Sequence, residues 1–249
     1  MKMGKRRGKD CSRKERSLKR SILKLVKILF LYIPLLLFLL SLVSVIIFKW
    51  APIPYTPLMA IRSYEYWNDD NFKTIKHWTP LKEISPSMVM AVIASEDNRF
   101  EEHNGFDWIE IDKAIADGKK GKRMRGASTI SQQTAKNVFL TPSRSWIRKG
   151  LEAYFTVAIE LIWGKRRIME VYLNVAEMGR GIYGAEAAAN ELFKKTAQKL
   201  TTRESALIAA TLPNPLRRKA NNPSAYVSSR ASDIEILMAK VKRPDWIGQ

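Results

Sequence analysis

Cysteine is nearly absent from this chain of 249 residues: Cys11 stands alone, which excludes an intramolecular disulfide framework and any cysteine-rich zinc module. Acidic residues are scarce too, 24 Asp and Glu against 43 Lys and Arg, for a net charge of +19. Internal repeats are missing, and no low-complexity segment occurs beyond a basic tail. Alternating strand patterns are almost lacking, apart from short extended pieces around Tyr64 to Lys76, so the fold class is mostly α. No Gly-Lys is followed by Ser or Thr, which leaves no Walker-A loop. What remains is ample for a packed core, with 46% hydrophobic and 10% aromatic residues, so disorder of the whole chain is excluded. The length allows one domain of ordinary size plus an appendage, or two small domains.

The charge is unevenly placed. Residues 1–27 hold twelve Lys and Arg and two Asp and Glu, a local +10 that leaves +9 for the rest. Directly behind that tail, Ile28 to Phe48 is a run of 21 residues without a charge. As a helix rising about 1.5 Å per residue it is long enough to cross roughly 30 Å of hydrocarbon. It is longer than a signal-peptide core and lacks a small-x-small cleavage site, so it reads as an uncleaved transmembrane anchor. The positive-inside rule then puts residues 1–27, with Cys11, in the cytoplasm and residues 49–249 across the membrane. Residues 49–80, opening with Lys49, Trp50 and the stiff APIPYTP, read as a spacer and the start of the exported part, and residues 81–249 as its main domain.

Helix signals recur along the exported part. Ser85 and Pro86 begin PSMVMAVIASED with cap and first-turn proline in order. Asp107 and Glu110 make a capping-box-like start to a helix that Gly118 stops. Ser128 caps a helix through Leu140, and Arg144 to Trp163 is amphipathic and ended by Gly164. Lys165 to Val175, Gly184 to Phe193, Thr202 to Leu212 and Pro223 to Val241 follow.

Three constellations carry candidate chemistry. Glu96, Asp97, Glu101, Glu102 and Asp107 reverse the local sign of a basic chain. They are either a solvated helix end paired with lysines or a functional carboxylate cluster. Glu96 directly follows the apolar MVMAVIAS, where a carboxylate becomes partly desolvated and can serve as a base. In the second, Thr129, Gln133 and Lys136 share one helix face at i, i+4 and i+7, behind a basic loop of Lys119, Lys120, Lys122, Arg123 and Arg125. In the third, Arg144, Arg148 and Glu152 recur at i, i+4 and i+8. That is either an intrahelical salt-bridge ladder or a cationic clamp on phosphate oxygens with an acid at its edge.

These residues carry a family likeness. EDNRFEEHNG, Glu96 to Gly105, resembles the EDxxFxxHxG signature of the peptidoglycan glycosyltransferases. GASTISQQTAKN resembles their GxSTITQQxxKN, and RKGLE their RKxxE. KRRIMEVYLNVAEMGRGIYGAEAAANELF is similar to their KxxIxExYLN segment, and ALIAATLPNPLRRKANNPSAY to their LPxxP block. Five motifs occur in order over Met88 to about Tyr226, with Ser131 in place of the usual Thr and Leu192 where an aromatic often stands. With one anchor in front and no penicillin-binding domain expected behind, the chain resembles the monofunctional members of Gram-negative bacteria.

The resemblance implies a lysozyme-like helical lobe beside a small, hydrophobic, membrane-proximal lobe that includes or adjoins Phe106 to Arg125. It implies polymerisation of lipid II, with a lipid pyrophosphate as leaving group and a sugar 4-hydroxyl as acceptor. Glu96 is then the base, with Asp97 and His103 orienting it or its neighbours. Lys136, Arg144, Arg148 and Lys149 hold donor phosphates, and Ser128, Thr129, Gln133 and Asn137 bind sugar or phosphate oxygens. Glu152 assists the leaving group directly or through a divalent cation, magnesium or manganese; no other cofactor is implied. Glu170, Tyr172 and Asn174 are expected to fix a helix junction, and Gly179, Gly181 and Gly184 to make tight turns. Partners would be lipid II, the nascent glycan strand, an anionic membrane and cell-wall synthesis or division proteins, in a bacterial inner membrane with the catalytic domain periplasmic. Nucleic acid is excluded by topology and by a basic loop without interleaved aromatics. Two rivals remain: an anchored muramidase using Glu96 as general acid, and a non-enzymatic module binding anionic lipid.

Overall fold

The computed structural model describes residues 24–121, 126, 128–143 and 145–248. They divide into two compact units, one up to Ile47 and one from Phe48 onward. Lys24–Phe48 is one apolar helical stretch of 25 residues with mean hydropathy 2.8, long and apolar enough to cross a membrane. Its first part, Ile28–Tyr32, is wound as a π turn before helix α1, Ile33–Phe48. The cause is local: Pro34 has no N–H and its ring crowds the preceding turn, which a wider turn relieves.

The second unit is helical with one small sheet. It comprises α2 (Pro57–Glu65), β1 (Ile75–Lys76), α3 (Pro86–Glu96), α4 (Trp108–Lys119), α5 (Ile130–Phe139), α6 (Trp146–Ile162) and α7 (Lys165–Val175). Strands β2 (Glu177–Gly179) and β3 (Ile182–Tyr183) follow, then α8 (Ala185–Phe193), α9 (Thr202–Thr211) and α10 (Ala225–Met238). The core has two neighbouring groups. In one, α3 packs against α9 and α10; in the other, α5 packs against α6 and α7. Helix α3 is the central post: Met88 to Ala94 are all buried, as expected of a helix apolar on every side. Phe139 of α5 stacks on Phe155 of α6 with ring centroids 4.3 Å apart, and Ile159 of α6 and Ile168 and Leu173 of α7 are fully buried.

The sheet has the order β1-β3-β2, with β1 parallel and β2 antiparallel to β3. Its hairpin turns at Gly181, φ +73°, where an added Cβ would lie 2.3 Å from the Lys73 carbonyl oxygen. Arg167 on α7 donates to the carbonyls of Phe48 at 2.9 Å and Ala51 at 2.6 Å and pairs with Glu170, which fixes the entry of the chain into this unit.

Several sequence expectations shift. Ser85 and Pro86 start α3, and Lys165 and Val175 bound α7 as expected. Thr129, not Ser128, caps α5, because Thr129 and Gln132 form a capping box. Gly118 lies inside α4 rather than stopping it; the helix runs to Lys119 and the left-handed glycine at its end is Gly121, φ +70°. Helix α6 begins at Trp146 behind a Ser145 cap, and α10 begins at Ala225 behind Ser224. The spacer gives way to a helix, α2, for which Thr56 is the cap and Pro57 the first residue. Of the extended region only Ile75–Lys76 is a strand, and the β2–β3 hairpin went unforeseen. Arg144 and the loop residues Lys122, Arg123 and Arg125 lie outside the described residues.

Candidate active site

Glu96 is the last residue of α3. The helix is buried until Ala94, and Asp97 leaves the helical region at φ −162°, so the Glu96 side chain emerges where the core opens. It lines a cavity of ≈ 340 Å³ together with Asp97, Asn98, Asp107, Ser128, Thr129 and Arg230. Its Oε2 accepts a hydrogen bond from Gln133 Nε2 at 2.8 Å, and Gln133 Oε1 accepts one from the Tyr172 hydroxyl at 3.3 Å. Desolvation pushes the Glu96 carboxyl above its usual range; the Gln133 bond, Arg230 and Lys136 oppose this without cancelling it.

Asp97 and His103 sit behind this carboxylate and are buried. Both Asp97 oxygens meet His103 Nε2, at 2.9 and 3.1 Å, and Oδ2 also accepts the Ile130 N–H at 3.0 Å. A negative side chain thus docks the N-terminus of α5 onto the end of α3, which complements the helix dipole. Thr129 is equally committed: its hydroxyl donates to the Gly105 carbonyl at 2.6 Å and accepts the Gln132 N–H at 3.1 Å. Gly105 has φ +90°, and a Cβ there would meet Thr156 Cγ2 at 2.8 Å. Hence Asp97, His103 and Thr129 hold the frame, while Ser128 is exposed on the cavity wall.

The cations come from the facing surfaces of α5 and α6. Lys136 is half-buried on α5, and desolvation lowers its pKa; Glu152 and Glu96 raise it, and Arg148 and Lys149 lower it. Lys136 therefore feels both acids. On α6 the buried Glu152 receives Arg148 Nη1 on Oε2 at 2.6 Å and Lys149 Nζ on Oε1 at 2.5 Å. Arg148 Nε is buried with no hydrogen-bond partner. Asn137, next to Lys136, is half-buried.

A divalent cation at Glu152 does not fit this arrangement. It would have to displace two cations from the one carboxylate whose oxygens they occupy. Among the described residues the one group with metal-ligand composition is Asp97, His103 and Asp107, with ligand atoms within 4.8 Å of one another. Asp97 serves the α5 terminus, and Asp107 Oδ1 the α4 cap through Glu110 N–H at 3.0 Å and Arg99 at 3.4 Å, while Asp107 Oδ2 and His103 Nδ1 are buried with no hydrogen-bond partner.

The structure therefore gathers Glu96, Gln133 and Lys136, and links Lys136 electrostatically to Arg148, Lys149 and Glu152. Sequence reasoning missed Arg230, half-buried on α10, whose charge reaches Glu96. Nothing in its local sequence marks it. It also missed Tyr172 as a neighbour of Gln133; a tyrosine inside a polar-flanked motif was the available signal.

A carboxyl raised by burial thus stands in the helical unit within the electrostatic reach of Lys136, and Lys136 within that of Arg148 and Lys149, while an apolar helix of membrane-spanning length precedes that unit in the chain. The chain belongs to the transglycosylase family, whose profile matches residues 66–239. It is 57% identical over 204 residues to a biosynthetic peptidoglycan transglycosylase of Bacteroides thetaiotaomicron, covering 82% of each chain. It is 54% identical over 197 residues to the protein of that name from Bdellovibrio bacteriovorus, covering 79% of each. With that of Shigella boydii it shares 53% over 190 residues, 75% of this chain and 78% of the relative.

Proposed function

We propose that this protein polymerises lipid II into linear peptidoglycan strands, by inverting glycosyl transfer from a lipid-pyrophosphate donor to the 4-hydroxyl of a lipid II acceptor. The family membership and the names of the relatives support the reaction class. The observation that carries the chemistry is that Lys136 feels both the raised carboxyl of Glu96 and the Arg148–Glu152–Lys149 cluster.

The chemistry sets two demands. A sugar hydroxyl is a poor nucleophile and needs a base, and Glu96 on the cavity wall is that base. Pyrophosphate leaves readily once its developing charge is met by cations, and Lys136, Arg148 and Lys149 meet it, with Arg144 beside them in sequence. The acceptor oxygen bonds to the donor anomeric carbon as its proton passes to Glu96. The bond from that carbon to phosphate oxygen breaks, its electron pair stays on undecaprenyl pyrophosphate, and configuration inverts. Glu152 is a positioning residue that holds Arg148 and Lys149 until phosphate oxygens replace it. Ser128 and Asn137 supply hydrogen bonds to sugar or phosphate oxygens, while the Gln133 amide is engaged with Glu96 and Tyr172.

In this reading the anchor lies in a bacterial inner membrane with residues 1–27 cytoplasmic and the catalytic unit periplasmic. Its exposed Trp108, Ile109 and Ile115 on α4 suit a lipid surface that delivers the substrate. Cell-wall synthesis or division proteins are the partners to be sought there. A muramidase would also use a raised carboxyl, as general acid, but has no need of three cations around its leaving group.

The test is incubation of the detergent-solubilised full chain with labelled lipid II, with and without a phosphoglycolipid inhibitor. Inhibitor-sensitive polymer is expected. Absence of polymer together with release of soluble muropeptides from purified cell wall would replace the proposal by the muramidase reading.

A further inference from the structure

The two oxygens of the Glu96 carboxylate are not equivalent. Oε2 accepts from Gln133 Nε2 at 2.8 Å, whereas Oε1 carries no hydrogen bond among the described residues. A glutamine amide presents nearly the same shape either way round, so its orientation must be set by its partners. On the far side of Gln133 stands Tyr172, 1% exposed on α7, whose hydroxyl donates to Gln133 Oε1 and has no other partner among the described residues. Reversing the amide would place its carbonyl against the Glu96 carboxylate and leave the buried tyrosine O–H without an acceptor, both unfavourable.

We propose that Tyr172 is a positioning residue for the base: through Gln133 it reserves Glu96 Oε2 as an acceptor and leaves Oε1 as the atom that takes the proton of the acceptor hydroxyl. The inference rests on Glu96 being the base. Tyr172 suits the task because it donates at any pH the enzyme meets, since burial, with the charges of Glu96 and Asp97 adding to it, holds its ionisation well above the usual tyrosine value. The relay joins three helices, α7 to α5 to α3, so the base is oriented by the core and not by a loop. The charged groups around Glu96 are Asp97 at its own helix end, Lys136 on α5 and Arg230 on α10. Lys136 and Arg230 favour the carboxylate whichever way the amide lies, so the amide's orientation adds to their effect.

Tyr172→Phe removes the oxygen and little else. In full-length protein carrying carboxyl-13C glutamate, with the Glu96 signal identified by its loss in Glu96→Gln, the variant should move the Glu96 midpoint upward by about one pH unit, a tenfold change in protonation ratio. The acid limb of kcat should move with it, while KM for lipid II stays. Gln133→Leu should also raise the midpoint, and adding Tyr172→Phe to it should do nothing further, which a packing role would not produce. An unchanged midpoint in folded Tyr172→Phe, or additive shifts in the double variant, would overturn the relay. Where Tyr172→Phe does not fold, wild-type protein decides. The Gln133 amide should keep its orientation as Glu96 titrates, and an inversion on protonation would refute the proposal. Retained polymerisation by Glu96→Gln would instead remove the base itself, a separate failure from that of the relay.

Discussion

Glu96 and Glu152 are two desolvated acids in a basic chain, each within reach of Lys136, yet they are equipped for opposite tasks. Glu96 ends a helix buried from Met88 to Ala94 and its one hydrogen-bond partner among the described residues is a neutral amide, so burial prevails and the carboxyl is held above its usual range. Glu152 is 3% exposed and grips two cations directly, one on each oxygen. A neutral partner leaves an acid able to take a proton. Two cationic partners make an acid into a mount for the cations. The difference lies in the hydrogen-bond partners each carboxylate meets, not in the residue type.

The comparison can be broken by the same substitution at both positions. Glu96→Gln should lower turnover of lipid II by about 10²- to 10⁴-fold while leaving lipid II binding nearly unchanged, the signature of a lost base. Retained turnover in a polymerisation assay would end that assignment. Glu152→Gln should leave the Glu96 titration nearly unmoved, cost about 1–3 kcal/mol in denaturant unfolding, and weaken binding of a phosphoglycolipid inhibitor, because Arg148 and Lys149 lose their mount. Arg148→Met should weaken that inhibitor about tenfold, roughly 1.4 kcal/mol, and also lower the thermal unfolding midpoint, because it leaves the buried Glu152 carboxylate with Lys149 alone. Unaltered affinity in direct binding would detach the cations from the phosphates. Gly105→Ala should affect turnover least of the four. The strain of φ +90° and the contact with Thr156 cost about 1–3 kcal/mol of stability, read in thermal unfolding, with a small loss of kcat through Thr129.

Much of this was legible in the sequence. The apolar run before Glu96 announced a carboxylate at the edge of a core, and the i, i+4 spacing of Arg148 and Glu152 announced their pairing. Of that ladder the structure shows the ion pairs of Arg148 and Lys149 with Glu152, whose charges also reach Lys136. Spacing could not show that Thr129 would cap α5 instead of joining the Gln133–Lys136 stripe, because a cap and a helix-face residue differ only in where the first turn begins. Helix α2 was hidden by reading Pro57 as the end of a stiff spacer when, after Thr56, it is a helix starter. Arg230 and Tyr172 reach the site only through tertiary packing of α10 and α7, and no local pattern carries that information.

The most direct test sets two midpoints side by side in wild-type protein: that of the Glu96 carboxyl carbon followed by NMR, and that of the acid limb of lipid II turnover. A base works only while ionised, so turnover falls as pH drops through its pKa, and burial places that pKa above the usual glutamate range. Coincident midpoints, both above that range, are expected. A Glu96 that titrates in the ordinary range, or a limb that falls at a different pH, would contradict its assignment as the base.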